Sequence, residues 1–250
     1  MIVFRVDSSF QIGSGHVMRC LTLADEFRLL GFEITFVCRV HQGNLNSLIE
    51  SRGYQVFELG VQANNNHHEN KNIYSEWLGA AWTRDANDFI SIIKDLQPDI
   101  ILVDHYALDY RWEHKIKLNT KKLVVIDDLA NRPHFCDILI DQTLNRKVND
   151  YRTLVPKNCR LLLGTSYAML RPDFREWRNV SIENKKYNNM STVLISLGGV
   201  DRDNITSDVM RALSDSEIKI SSMVVIMGKN APHLEHIKQL KSEMKIPTIV

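Results

Sequence analysis

Apolar residues in this chain fall into short continuous runs separated by stretches with a period of three to four, the alternation expected of buried strands and amphipathic helices. Ile2–Val6 is the first run, and from Val17 the period changes. Val17, Leu21, Ala24, Phe27 and Leu30 place one apolar stripe on a helix, with Ser14 set to cap it and Gly31 to stop it. Residues 34–38 read as a second strand, 44–52 as a short helix closed by Gly53, and 54–59 as a third strand. Residues 60–75 contain Asn64-Asn65-Asn66-His67-His68 with no hydrophobic period and read as a loop. Thr83 is then set to cap a helix with a stripe of Ala86, Phe89 or Ile90, Ile93 and Leu96, stopped before Pro98. Residues 99–103 give the next strand, Asp109 caps a helix running to Leu118, and 123–126 and 138–140 are two further strands. This repeated alternation predicts a parallel, doubly wound sheet with helices on both faces.

Around residues 179–189 the pattern lapses into polar, aperiodic sequence that reads as a linker. Beyond it come a strand over 192–197, the tight Gly198-Gly199 loop, and a helix capped by Asp203 with Ile205, Val209 and Leu213 on one face. Residues 223–227, Gly228, a helix over 233–241 and the start of a third strand over 246–250 complete the chain. The fold class expected is α/β: a Rossmann-like domain over 1–180, a linker over 181–190, and a second Rossmann-like, doubly wound domain over 191–250 that is incomplete.

The order of strand, glycine loop and helix directs attention to Ser8-Ser9-Phe10-Gln11-Ile12-Gly13-Ser14-Gly15-His16. Backbone N–H groups in a helix's first turn have no partner within the helix and carry partial positive charge, so an anion is favoured there. Gly13 and Gly15 let that backbone approach a ligand, and His16 adds a titratable ring. Neither standard phosphate motif is present: Met18 stands where the dinucleotide fingerprint has its third glycine, and the Lys and Ser or Thr of the nucleoside triphosphatase loop are missing. A purely structural turn with a solvated histidine is the competing reading. Ligands of doubly wound sheets bind beyond the carboxyl ends of the strands. Asp7-Ser8-Ser9, Asp104-His105-Tyr106 and Asp127-Asp128 all follow strands at that rim, although Asp104 and Asp127 are also residues that cap turns.

Composition narrows the partners. Thirty-one basic and thirty acidic residues leave a formal charge of +1, which removes the electrostatic case for nucleic acid or an anionic membrane. Cys20, Cys38, Cys136 and Cys159 form no C-x-x-C pair, so neither a zinc site nor a disulfide framework is indicated. His67-His68 lacks further ligands at metal-binding spacing and reads as part of a solvated loop. With no basic leader before a long apolar run and no stretch near the ~20 apolar residues of a membrane helix, a soluble cytoplasmic protein is expected.

The wider wording Arg5-x-Asp7-x-Ser9-x-x-Ile12-Gly13-x-Gly15-His16-x-x-Arg19-Cys20-x-x-Leu23-Ala24 resembles the opening of the nucleotide-sugar hydrolases of pseudaminic acid biosynthesis. The resemblance continues through Asp104-His105-Tyr106, Asp127-Asp128, His134-x-Cys136-Asp137-Ile138-Leu139, Ser166-Tyr167-Ala168-x-Leu170-Arg171 and Ser196-Leu197-Gly198-Gly199-x-Asp201. It implies a glycosyltransferase-B-like fold and release of UDP from UDP-2,4-diacetamido-2,4,6-trideoxy-β-L-altropyranose by C–O cleavage with inversion. A nucleoside diphosphate leaves easily, so one base that activates water suffices, without the second carboxylate of most glycosidases. The expected base is His16, with no metal and no redox cofactor. Gly13, Ser14 and Gly15 are expected to line the sugar and pyrophosphate. Tyr106 and Arg171 are expected to contact sugar or nucleotide, and Gly198, Gly199 and Asp201 to form a second wall. For Tyr106, packing in the core is the alternative. The family's later Gly-rich, Ser-containing nucleotide loop has no counterpart here. A glycosyltransferase of the same fold, or an inactive truncated binding module, are the other functions the sequence leaves open.

Overall fold

The structure, a computed structural model, describes residues 1–61, 73–187, 191–229 and 231–250. The His67-His68 pair lies outside the described residues. By Cα proximity the chain divides into two compact units, one of residues 1–12 and 16–170, the other of residues 13–15 and 171–250.

The first unit follows the predicted alternation. β1 (Ile2–Val6), α1 (Gly15–Leu29), β2 (Ile34–Arg39), α2 (Asn46–Ser51), β3 (Gln55–Leu59), α3 (Trp82–Leu96), β4 (Ile100–Asp104) and α4 (Tyr110–Ile116) are followed by β5 (Lys122–Ile126), β6 (Ile138–Asp141), α5 (Val148–Tyr151) and β7 (Arg160–Leu163). The seven strands form one sheet in the order β3-β2-β1-β4-β5-β6-β7, and all are parallel. Side chains alternate across a strand. Ile2, Phe4 and Val6 therefore join Val17, Leu21, Ala24 and Ile49 of α1 and α2 on one face. Val3 joins Ala86, Phe89, Ile93, Trp112 and Ile116 of α3 and α4 on the other. Every residue of β1 is buried, as expected of a central strand covered by helices on both faces. Gly31, the expected stop of α1, has φ +85°, and Asp109 caps α4 by accepting from the Arg111 N–H.

The second unit carries α6 (Pro172–Tyr187), β8 (Thr192–Ile195), α7 (Ile205–Asp215), β9 (Ser222–Val225), α8 (Leu234–Leu240) and β10 (Thr248–Ile249). Its three parallel strands, in the order β10-β9-β8, pack on α7 and α8 through Ile195, Met210, Met223, Val225, Ile237 and Leu240. Gly228 donates its N–H to the Gly199 carbonyl, and a Cβ at Gly228 would stand 2.2 Å from that oxygen.

The polar stretch in which no period was visible is helical over 181–187, the end of α6; among the described part, positions 181–185 are exposed all round, which explains why no apolar period marks them as helix. Two expectations need correction. α3 starts two residues earlier than predicted, with Ala81 at the cap position and no side-chain cap, so Thr83 lies inside the helix. The cap of α7 is supplied by Asp201 and not Asp203: Asn204 takes the N-cap position in the left-handed region, and the Asp201 carboxylate reaches the Ile205 and Thr206 N–H groups at 3.0 and 2.9 Å.

Candidate active site

β1 and β4 are neighbours in register, Val6 beside Asp104, and it is between them that the strand order reverses. That reversal opens a crevice at the carboxyl ends of the strands, where doubly wound sheets bind ligands. Asp7, immediately after β1, is fully buried and accepts from Arg5 Nη1 and from the Arg39 backbone N–H, both at 2.6 Å. Arg5 and Arg39 also converge on Asp85 of α3, at 2.7 and 2.6 Å, and Trp112 Nε1 donates to the same carboxylate at 2.9 Å. Two arginines and two aspartates thus balance within the core. Removing charges from water costs several kcal/mol each unless geometry and hydrogen bonds compensate, and here each carboxylate has at least two donors. The Arg5 charge holds Asp7 well below the usual carboxylate range even though burial opposes it.

His105 supports the same residue. Its Nδ1 accepts from the Ala107 N–H at 3.0 Å, so the ring proton sits on Nε2, which faces Asp7 Oδ2 at 3.1 Å. Burial lowers the pKa of His105, consistent with a neutral ring. Ser8 Oγ accepts from the Leu45 N–H, and Ser9 Oγ accepts from the N–H groups of Gln11 and Ile12. The segment after β1 is therefore tied down by side chains before the glycines begin. Gly13 has φ +82°, a conformation that favours glycine, and Gly15 opens α1.

His16 lies in the first turn of α1 and is only 7% exposed. Its Nδ1 is 2.6 Å from Oδ1 of Asp104, the last residue of β4. Arg19, one turn along α1, grips the same carboxylate through Nε and Nη2 at 2.5 Å each and reaches Asp128 Oδ2 through Nη1 at 2.8 Å. Burial pushes the Asp104 pKa up, but His16 and Arg19 outweigh it and bring the value down to about 2. An ionised Asp104 makes His16 Nδ1–H the donor and leaves the Nε2 lone pair to take a proton. Tyr106 meets the His16 ring in a T-shaped contact at 4.6 Å between centroids and donates its hydroxyl to Asp128 Oδ1. Burial and Asp128 raise the Tyr106 pKa, so the hydroxyl stays protonated.

The site thus gathers His16 and Tyr106, two of the expected residues, with three that the sequence left without this role: Asp104, Arg19 and Asp128. Asp127 does what a turn aspartate does: it accepts from the Ala130 N–H at 2.9 Å, and it also takes Arg132 Nη1 and the Tyr151 hydroxyl. Asp104 is the correction, since its carboxylate oxygens go to His16 and Arg19 and not to a turn. The spacing of Arg19 from His16, three residues along a helix, was the available signal that the two share a face. Trp77 and Tyr74, at the edge of the stretch read as a loop, form an aromatic cluster with Tyr106. Of the expected residues in the second unit, Arg171 lies over the Phe174 ring at 5.6 Å, Gly198 has φ +87°, and Asp201 caps α7. No group of three or more metal-ligating side chains occurs among the described residues.

A histidine at the switch point of a doubly wound sheet, held by a buried carboxylate, together with a second parallel α/β unit, defines an α/β enzyme of the glycosyltransferase-B-like class. The solved structure of MurG from Acinetobacter baumannii has this fold, with a TM-score of 0.55 at 11% identity over 99% of this chain and 65% of that one. The chain is 30% identical over 245 residues, 98% of its length and 77% of the relative's, to the UDP-2,4-diacetamido-2,4,6-trideoxy-β-L-altropyranose hydrolase of Campylobacter jejuni. It is 27% identical over 150 residues, 59% of the chain and 43% of the relative, to the spore coat polysaccharide biosynthesis protein SpsG of Bacillus subtilis. No family model matches the chain. The chain belongs to the family of UDP-2,4-diacetamido-2,4,6-trideoxy-β-L-altropyranose hydrolases.

Proposed function

We propose that the chain hydrolyses UDP-2,4-diacetamido-2,4,6-trideoxy-β-L-altropyranose to UDP and the free sugar, a step of pseudaminic acid biosynthesis, with His16 as general base. The observation that carries this reading is the pairing of His16 Nδ1 with the buried, ionised Asp104. His16 Nε2 takes a proton from water as the water oxygen bonds to the anomeric carbon. The bond from that carbon to the diphosphate oxygen breaks, its electron pair leaves with UDP, and the anomeric configuration inverts. Asp104 stabilises the imidazolium that forms, and Arg19 holds Asp104 in place. The N–H groups at the start of α1 offer partial positive charge to the departing diphosphate, and no acidic residue in that first turn competes for them. Because UDP leaves readily, no metal ion or second carboxylate is required.

The same reading assigns the protein to the cytoplasm and gives it no nucleic-acid or membrane partner. The four cysteines are free, as suits a reducing compartment, and no helix among the described residues is long and apolar enough to cross a membrane.

Hydrolysis in ¹⁸O-labelled water with excess chelator tests the chemistry. Label is expected in the sugar and not in UDP, with inversion and an undiminished rate. Label in UDP or phosphate, or loss of activity on chelation, defeats the mechanism.

A further inference from the structure

Proton transfer by His16 makes no use of the aromatic rings next to Tyr106. Trp77 stacks on the Tyr106 ring at 5.8 Å between centroids and 27° between planes, and Tyr74 meets Tyr106 at 5.2 Å and Trp77 at 4.8 Å. All three residues are only partly buried. They come from two separate places, the loop after β4 and the short turn of 3-10 helix at Ser75–Leu78. That turn is fixed. Leu78 within it is fully buried, and the next residue, Gly79, has φ +65° and lies so close to His41 that a Cβ there would stand 2.7 Å from His41 Cε1. A partly open apolar surface is thereby held rigidly beside a charged cluster that has no need of it.

We propose that Trp77 and Tyr74, with Tyr106, form the wall that recognises the sugar through its methyl groups, so that the site selects 6-deoxyhexoses bearing acetamido groups over fully hydroxylated hexoses. This deepens the hydrolase reading and rests on it for the identity of the sugar. The sugar named for the C. jejuni relative carries a methyl at C6 and one on each acetamido group. The C6 methyl stands where an ordinary hexose has a hydroxymethyl group, and each acetamido group replaces a ring hydroxyl with an amide that carries its methyl further out. Aromatic faces are electron-rich and take apolar C–H groups well, but offer nothing to a hydroxyl that must give up its water. Tyr106 would serve twice, in its T-shaped contact with His16 and as part of the wall.

Binding of the intact UDP-sugar and of UDP alone, measured by calorimetry in His16→Asn protein, tests the wall without turnover. In an apolar site one methyl group is worth roughly 10- to 200-fold. Trp77→Leu should weaken the UDP-sugar about 10-fold or more while UDP changes less than about two-fold, and Trp77→Phe should lose less than Trp77→Leu. A UDP-sugar loss below about three-fold, or an equal loss for UDP, overturns the proposal. Turnover by the unaltered chain is measured alongside. If it fails while sugar-dependent binding still needs Trp77, the hydrolase reading falls and the wall stands; turnover with binding indifferent to Trp77 removes the wall alone.

Discussion

β1, its glycine loop and α1 follow the same backbone plan as β8, the Gly198-Gly199 loop and α7, yet the two helix starts carry opposite chemistry. α1 has no acidic residue in its first turn and presents His16 there, backed by Asp104 from the neighbouring strand. α7 begins with its own carboxylate in place: Asp201 accepts from the Ile205 and Thr206 N–H groups, and Asp208 lies in the first turn. Those hydrogen bonds lower the Asp201 pKa against the effect of partial burial. A strand, a glycine loop and a helix are therefore not enough to specify an anion site. What decides is whether the chain fills the helix N-terminus with its own negative charge or leaves it open beside a base.

Substitutions can break this contrast. The largest effect is expected at His16: His16→Asn should lower kcat by about 10²- to 10⁴-fold, the usual contribution of a general base, with KM little changed. Near-normal turnover by that variant would sink the assignment. Next comes the charge balance beneath the site, where Asp85→Ala leaves Arg5 and Arg39 short of a buried partner. Loss of roughly 3–5 kcal/mol of stability is expected, read by denaturant unfolding; a midpoint unchanged from the parent would show that the pairing contributes little. Asp104→Asn keeps the shape but offers His16 no charge. Turnover should fall by about 10²-fold with binding of UDP retained, because the imidazolium formed in the step has lost its stabilising carboxylate. Turnover equal to the parent's would reduce Asp104 to a packing role. The smallest change belongs to the other helix: Asp201→Ala should cost about 1 kcal/mol of stability through the lost cap. If it instead abolishes turnover while stability holds, Asp201 belongs with the substrate, as its sequence motif first implied.

The first unit was largely legible because its signals are local. The apolar run of β1, the stripe of α1 and the punctuation at Gly31 and Asp109 all act within a few residues of themselves. The partners of a charged side chain are not written that way. Asp104 meets His16 across 88 positions of sequence, only because β4 lies beside β1. Read alone, it is one more aspartate after a strand. Trp77 and Tyr74 were hidden differently, at the edge of a polar stretch where no period draws the eye. β7 and α5, at four residues each, are too short for periodicity to register. Asp201, placed at the ligand by its motif, also has a local role that its spacing did not announce, as the cap of α7.

The arginines under the site also bear on how the chain reaches its fold. Arg5 and Arg39 sit on adjacent strands, but the carboxylate they share arrives on α3, 80 residues after the first and 46 after the second. A nascent β1–β2 pair that buried both guanidinium groups before α3 docked would hold charge with too few partners, at a cost of several kcal/mol. The strands are thus discouraged from closing over their own core until the helix is present. Routes in which α3 docks as β1 and β2 close leave neither guanidinium buried without the carboxylate the two share.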